Sequence, residues 1–148
     1  MKFEFKNIEK KDWDILLDWR NDFFTKEMSV NSRKVTKDEH YEYFEKNQSN
    51  DNINQYIFNC NDLYVGTIKT DNSKKHSTTL SYTINPKFRK KGYGKLMMYL
   101  FLFERNGVFL CKVKKTNFAS IKMCEWNNFK LKSKEKSFLL YEKIIKNE

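Results

Sequence analysis

The sequence predicts an α+β fold, with a central mixed and mostly antiparallel sheet flanked by about four helices. Two apolar-rich segments on either side of Asn61-Asp62 have the spacing of an antiparallel hairpin. An alternating segment, 76–84, is followed by a glycine-containing loop and by a helix-length apolar run at 93–103. Residues 108–114 then return as a strand, and this strand–helix–strand order implies a parallel, right-handed crossover.

The N-terminal third supplies one edge strand and two helices. Residues 2–8 alternate apolar and charged side chains, which is typical of an edge strand. Residues 10–24 carry apolar side chains near helical spacing and predict an amphipathic helix. Thr36 and Glu39 have the spacing of a capping box, so a second helix is predicted at 37–46.

The middle of the chain holds the hairpin and the crossover. The hairpin strands are predicted at 55–60 and 63–70. Pro86, the only proline, ends the alternating strand because it has no N–H group to donate to a neighbouring strand. The run 93–103 is apolar all round and predicts a buried helix, with Gly107 as the left-handed residue after it.

Three further elements close the fold. Residues 117–127 predict a short helix, and Asn128 follows it where a left-handed residue is expected. Segments 129–134 and 137–145 are predicted to be two strands. The sequence contains no repeat and no linker, so we expect a single domain over residues 1–148.

Composition limits the classes of function. The net charge of +10 fits an acidic partner, such as nucleic acid or a nucleotide-containing ligand, or simply a solvated basic surface. The longest apolar run, 96–103, is too short to span a membrane, and residues 1–6 do not resemble a signal peptide. Cys60, Cys111 and Cys124 are scattered, which indicates reduced thiols and no metal site. We therefore expect a cytoplasmic protein that is a monomer or homodimer.

The loop between strand and helix has the composition of a phosphate-binding site. Gly92 and Gly94 allow positive φ angles and let an anion approach the backbone closely. The N-terminus of the following helix offers free N–H groups and the positive end of the helix dipole. The spacing of the glycines is that of neither a P-loop nor a GxGxxG motif. The alternative to a phosphate-binding loop is a basic turn that binds no ligand. The basic residues around the loop are Arg89, Lys90, Lys91 and Lys95.

Two motifs, at residues 89–94 and 117–129, resemble those of the GCN5-related N-acetyltransferases, the GNAT superfamily. Residues 89–94 match [Arg/Gln]-x-x-Gly-x-[Gly/Ala], the pyrophosphate-binding loop of that family. Residues 117–129 are similar to its later motif, Asn-x-x-Ser-x-x-x-Tyr-Glu-x-x-Gly-Phe. The matched positions of that motif are Asn117, Ser120, Glu125 and Phe129. The predicted order of elements also resembles the GNAT fold along nearly the whole chain.

The resemblance implies an acetyl-CoA site. The amides of 91–95 would bind the pyrophosphate, and the backbone of 82–84, on a splayed strand, would bind the pantetheine arm. Asn117 and Ser120 would contact the far side of the cofactor, with helix capping as the alternative role for both. The cofactor-binding residues predicted in this way are Tyr82, Thr83, Ile84, Arg89, Lys90, Lys91, Gly92, Tyr93, Gly94, Lys95, Asn117 and Ser120.

The resemblance also implies direct transfer of an acetyl group to a primary amine in a ternary complex. A backbone N–H near Ile84 would stabilise the oxyanion. Many relatives carry a glutamate base on the strand before the loop, but residues 76–84 contain no carboxylate. His40 is therefore the first candidate base, ahead of Glu27 and Asp22, and an ordinary surface histidine is the alternative.

Two positions depart from the family pattern. Asn128 replaces a glycine, which is a mild change because asparagine tolerates the left-handed region. Cys124 replaces the tyrosine that protonates the departing thiolate in many relatives. Its thiol could act as an acid, but core packing is the alternative, and Tyr141 or water is then the candidate acid.

Residues before the loop suggest the acceptor. The stretch Trp19-Arg20-Asn21, with Met28 and His40 further along the chain, is similar to the branch of the family that acetylates amino sugars linked to nucleotides. It also resembles the branch that acetylates ribosomal proteins. The acceptor-binding residues predicted from this similarity are Arg20, Asn21, Met28 and His40.

Several alternatives for the acceptor stay open. Arg20 would bind a substrate phosphate, unless it forms a surface salt bridge with Asp18 or Asp22. The charge of +10 fits a nucleotide-linked amino sugar and fits a cationic polyamine worst; a protein N-terminus and an aminoglycoside are also possible. Two other classes of function are also open. One is a GNAT fold that binds acyl-CoA without catalysing transfer, and the other is a nucleic-acid-binding module that uses the basic and aromatic residues 87–91.

Overall fold

A computed structural model describes residues 1–146. The strands are β1 (Phe3–Asn7), β2 (Ile53–Cys60), β3 (Leu63–Asp71), β4 (Thr78–Ile84), β5 (Gly107–Lys114), β6 (Lys130–Lys134) and β7 (Phe138–Ile145). The α-helices are α1 (Trp13–Asn21), α2 (Phe23–Met28), α3 (Lys37–Gln48), α4 (Tyr93–Leu102) and α5 (Phe118–Trp126), with 3-10 turns at Lys10–Asp12 and Pro86–Phe88. Within these residues, none of the helices has the length and apolar character needed to cross a membrane.

The strands form one sheet in the order β1-β2-β3-β4-β5-β7-β6. β4 and β5 run parallel, and the other neighbouring strands in this order run antiparallel. The predicted mixed, mostly antiparallel sheet is therefore confirmed. In the predicted hairpin, Asn61 and Asp62 have φ angles of 50° and 67°, the left-handed values that a tight two-residue turn requires.

The apolar side chains form separate cores on the sheet. Met98 and Phe101 of α4 pack with Met123 of α5 in the largest core. Trp13 of α1 and Phe44 of α3 stack with their ring centroids 5.4 Å apart in another core. Helices α4 and α5 thus belong to one packed layer, and α1 and α3 form another.

The predicted first helix, 10–24, is wrong in one respect, because it is broken at Asp22 and the fold has five helices in the described residues. Asp22 has ψ 137°, and its carboxylate accepts a hydrogen bond from the Thr25 amide, so it caps a new helix instead of continuing the old one. Gly107 is also misassigned: Glu104 is the left-handed residue after α4, with φ 64°, and Gly107 begins β5. Asn128 has φ 65°, as predicted.

Candidate active site

Strands β4 and β5 separate near the middle of the sheet. Their pairing covers only three positions and ends at Leu80 opposite Cys111. The Asn85 amide donates to the Val65 carbonyl in β3, at 2.8 Å. Because successive amides of a strand point to opposite sides, the Ile84 amide points away from β3 and towards β5. The gap therefore exposes strand edges that offer backbone donors and acceptors to an extended ligand.

A cleft of about 1300 Å³ passes through this gap. One half, named the cofactor half after the sequence prediction, lies against the loop before α4 and against the start of α5. The other half, named the acceptor half in the same way, lies against α1, α2 and α3. Sequence-predicted residues that line the cleft are Arg20, Met28, His40, Tyr82, Thr83, Ile84, Arg89, Lys90, Gly92, Tyr93, Gly94, Lys95, Asn117 and Ser120.

The loop before α4 presents unpaired backbone amides. Among the described residues, none of the N–H groups of 89–95 donates a hydrogen bond to a protein acceptor. The first amide of this region that does so is Leu96, which donates to the Gly92 carbonyl at 3.2 Å. Because these amides lie at the N-terminus of a ten-residue helix, the helix dipole also favours an anion there.

Gly92 leaves room for that anion. Its φ of 82° is a left-handed value that glycine adopts readily, and a Cβ at this position would meet no atom within 4 Å. A Cβ on Gly94 would instead make ordinary contacts, 3.7 Å from the Tyr82 ring and 3.8 Å from Ile84. The open space thus lies at Gly92, beside the unpaired amides.

Arg89 does not extend freely into the cleft. Its Nη2 donates to the Asp22 carboxylate and to the Thr25 hydroxyl, the latter at 2.7 Å. Its guanidinium also lies 4.9 Å from the ring centroid of Phe24. Lys91 does not line the cleft, and its ammonium lies 5.7 Å from the Phe88 ring centroid. The predicted positive charge of the loop is therefore supplied to the cleft mainly by Lys90 and Lys95.

Hydroxyl groups from β4 and α5 meet in the cofactor half of the cleft. The Oη of Tyr82 lies 2.5 Å from the Oγ of Ser120. Burial raises the pKa of Tyr82, so this phenol keeps its proton at neutral pH. Asn117 caps α5 by accepting a hydrogen bond from the Ser120 amide at 3.2 Å, which is the alternative role that the sequence predicts for it.

Cys124 and Tyr141 lie outside the cleft. Cys124 is fully buried and packs beside Cys111, and the contact raises the pKa of the Cys111 thiol. Tyr141 is 5% exposed and belongs to the same core. Neither side chain lines the cleft, so the geometry gives no support to the predicted acid role of either residue.

His40 lies in the acceptor half of the cleft. Its Nε2 is 2.8 Å from the Trp13 carbonyl, which can only accept, so Nε2 carries the proton and Nδ1 has the lone pair in the neutral ring. Burial lowers the pKa of His40, which keeps the imidazole neutral at pH 7. The ring is fixed edge-on to Phe44, with centroids 4.7 Å apart. This arrangement leaves His40 able to accept a proton at Nδ1.

Arg20 lines the same half and has one donor without a partner among the described residues. Its Nη2 donates to the Asn31 carbonyl at 2.5 Å, and its Nη1 is buried without a hydrogen-bond partner among the described residues. Neither Asp18 nor Asp22 pairs with it in this part of the chain. Burial and the nearby Arg33 lower the pKa of Arg20, although it remains a cation at neutral pH. A buried, unpaired guanidinium nitrogen favours an anionic group of a ligand.

Asn21 has a structural role that differs from the predicted one. Its Nδ2 donates to the Val35 carbonyl at 2.7 Å, and its Oδ1 accepts from the Val35 amide at 2.8 Å. Asn21 does not line the cleft. Its two hydrogen bonds hold Val35, in the loop between α2 and α3, against the end of α1. Asn21 therefore supports a wall of the acceptor half but does not line it.

Three further lining residues were not predicted as site residues. Glu39 is paired with Arg33, and this hydrogen bond lowers the pKa of Glu39 to about 2, which makes it a poor base. Lys69 donates to the Tyr43 hydroxyl at 3.0 Å, and both line the cleft. Lys69 stands on β3, distant in sequence from every motif, so only the strand pairing brings it here.

Comparisons with known proteins agree with this geometry. The family model described as the acetyltransferase (GNAT) family matches residues 13–129. No curated protein sequence matches the chain significantly. Among solved structures, a domain from Methanocaldococcus jannaschii has a TM-score of 0.83 at 19% identity, over 97% of this chain and 99% of that one.

Two similar structures are described as N-acetyltransferases. Campylobacter jejuni PseH, in complex with acetyl coenzyme A, has a TM-score of 0.75 at 18% identity, over 97% of this chain and 99% of that one. Vibrio cholerae spermidine N-acetyltransferase, in complex with CoA and spermine, has a TM-score of 0.84 at 11% identity, over 96% of this chain and 95% of that one. At these identities the likeness shows the shared fold.

Proposed function

The chain belongs to the GNAT acetyltransferase family, and we propose that it transfers an acetyl group from acetyl-CoA to the amine of a nucleotide-linked amino sugar. The cofactor assignment rests on the backbone amides of residues 89–95, in the loop before α4 and its first turn, which have no partner among the described residues. The open space at Gly92 fits a phosphate beside those amides. Lys90 and Lys95 add charge around them.

The residues of the cleft supply the remaining chemistry. Acetyl-CoA, when bound, supplies the acyl group as a thioester. Ile84 presents a backbone N–H to the gap, where it would stabilise negative charge on the reacting carbonyl oxygen. His40 would take a proton from the acceptor amine at Nδ1, directly or through water. The hydroxyl pair of Tyr82 and Ser120 would hold the proton that a departing thiolate needs.

The proposed acceptor class depends on Arg20. A buried guanidinium nitrogen without a partner favours a phosphate or carboxylate, and Lys69 adds a second cation to the same half of the cleft. A nucleotide-linked amino sugar carries both an amine and a diphosphate, so it fits this half. A polyamine brings only positive charge and would leave the Arg20 nitrogen unpaired.

Binding of the cofactor can be tested without an acceptor. Acetyl-CoA at a hundredfold excess over its Kd should stabilise the protein by about 2.7 kcal/mol. For a chain of this size, that raises the melting temperature by roughly 5–10 °C. Acetyl-pantetheine, which lacks the pyrophosphate, should give a much smaller shift. Equal shifts from both compounds would contradict the assignment of the loop.

The acceptor can be identified by thiol release from acetyl-CoA. The panel should contain nucleotide-linked amino sugars, the same amino sugars without the nucleotide, peptide N-termini and spermidine. We expect release with the first group and much weaker release with the free sugars, because only the first group carries the diphosphate. Preference for peptide N-termini would support a protein acetyltransferase instead. Binding of acetyl-CoA without release from any acceptor would point to a non-catalytic acyl-CoA-binding protein.

A further inference from the structure

Helix α2 spans the open end of the gap between β4 and β5. Arg89, in the loop after β4, bonds to Asp22 and Thr25 at the start of α2. Lys114, the last residue of β5, donates to the Glu27 carbonyl near the end of α2, at 2.7 Å. The short helix is therefore tied to both strands at the place where they have separated.

These polar contacts hold α2 in a position where little of it is deeply buried. None of its six residues is buried, and Phe23 is 74% exposed. A helix of this length is not stable alone, so its position depends on what holds its ends. Phe24 contributes by covering one face of the Arg89 guanidinium.

We propose that Asp22 is a positioning residue that holds Arg89 on α2 and competes for it with the pyrophosphate of the cofactor. The proposal uses acetyl-CoA as the ligand and in that respect rests on the proposed function. Arg89 lines the cleft beside the unpaired amides, and guanidinium prefers carboxylate and phosphate partners above all others. The two side chains are only about a quarter exposed, so the pair is shielded enough to compete.

The competition has a consequence for the acceptor half. When phosphate takes Arg89, the start of α2 loses its tie to the loop, while Lys114 still holds the other end. Thr25 and Met28 of α2 line the acceptor half, so that wall becomes mobile when the cofactor binds. Binding of cofactor and of acceptor are thus linked through one ion pair.

The test is the Kd of acetyl-CoA for Asp22→Asn, measured by calorimetry. Asparagine still caps α2 but no longer holds Arg89 as an ion pair, so we expect binding roughly three- to fivefold tighter than in the wild type. Asp18→Asn on α1 makes the same charge change at an exposed residue that forms no ion pair in the described chain, and should change the Kd by less than about twofold. Weaker binding by Asp22→Asn, or a change equal to that of the control, would overturn the proposal.

A double-mutant cycle separates competition from simple loss of negative charge. In an Arg89→Met background, Asp22→Asn should give no gain, because no arginine is left to release. A gain of the same size in that background would refute the competition. The wild type, the two single variants and the double variant should also be titrated with inorganic pyrophosphate. If acetyl-CoA did not bind the wild type, that result would contradict the proposed function alone. The order of the four pyrophosphate affinities would still test the competition for Arg89.

Hydrogen exchange reports the motion of α2. Pyrophosphate should speed exchange of the 23–28 amides in the wild type, and Asp22→Asn should exchange quickly with or without it. Unchanged or slower exchange in the wild type would show that the ion pair does not hold the helix.

Discussion

Replacing Gly92 by alanine tests the anion site at the atom where the structure leaves space. Gly92 has φ 82°, and a Cβ there meets nothing within 4 Å, so the substitution creates no clash. The cost to folding is conformational, about 1 kcal/mol for an alanine in the left-handed region. That cost lowers the melting temperature by roughly 2–4 °C for a chain of this size.

Gly94→Ala is the matched control, two residues along the chain in the first turn of α4. Its new Cβ would lie 3.7 Å from the Tyr82 ring, which is an ordinary contact, and no left-handed φ is involved. Because Gly94 is already helical, alanine should stabilise the protein by up to about 1 kcal/mol. The two substitutions thus have opposite expected effects on stability.

Binding should separate the variants further. A methyl group at Gly92 occupies the space beside the unpaired amides and should remove at least one charge-assisted hydrogen bond, worth about 1.5–3 kcal/mol. We expect a Kd for acetyl-CoA at least tenfold higher in Gly92→Ala, and little change in Gly94→Ala, measured by calorimetry. Gly92→Asn should bind as poorly but fold better, since asparagine tolerates this φ. Equal affinities for Gly92→Ala and Gly94→Ala would refute the placement of the phosphates.

Three further predictions concern the side chains of the cleft. Tyr82→Phe removes the hydroxyl beside Ser120 and should lower kcat at least tenfold while the Kd of acetyl-CoA stays within about twofold, which steady-state kinetics and calorimetry can check. Arg20→Met should raise KM for an anionic acceptor roughly tenfold or more and leave the Kd of acetyl-CoA unchanged, whereas equal effects on both would contradict its place in the acceptor half. Burial lowers the pKa of His40 in the folded protein below the unfolded-state pKa of about 6.5. The contribution of the neutral His40 to the free energy of unfolding is therefore present above about pH 6.5 and is lost as the pH falls through the lower pKa of the folded state. Urea unfolding at several pH values should show that loss in the wild type and a smaller loss in His40→Gln.

The sequence alone predicts those features of the structure that depend on residues close together in the chain. The turn at Asn61-Asp62 needs two left-handed residues, and those residue types supply them. Thr36 and Glu39 form the predicted capping box, because both partners lie within one helical turn. The loop around Gly92 is local in the same sense, since its shape depends on a left-handed glycine followed by a helix.

Contacts between distant segments could not be predicted in this way. Arg89 pairs with a carboxylate 67 residues earlier in the chain, and no pattern in either segment indicates the pairing. Cys124 occupies a motif position, but its burial depends on β5 packing against α5. The neighbours of Asn21 in the sequence predict an acceptor-binding role, although its side-chain amide is bonded to the Val35 backbone.

This difference follows from how the two halves of the cleft are built. The cofactor half presents backbone amides and strand edges, whose directions are set by local φ and ψ angles and therefore by short motifs. The acceptor half presents side chains from three helices and β3, including Arg20, His40 and Lys69, and their positions depend on tertiary packing. A change in one helix contact can alter the acceptor half while the loop before α4 keeps its shape. For this reason, the motif is strong evidence for the donor of the acyl group, and the acceptor has to be inferred from charge, burial and unpaired donors such as the Arg20 Nη1.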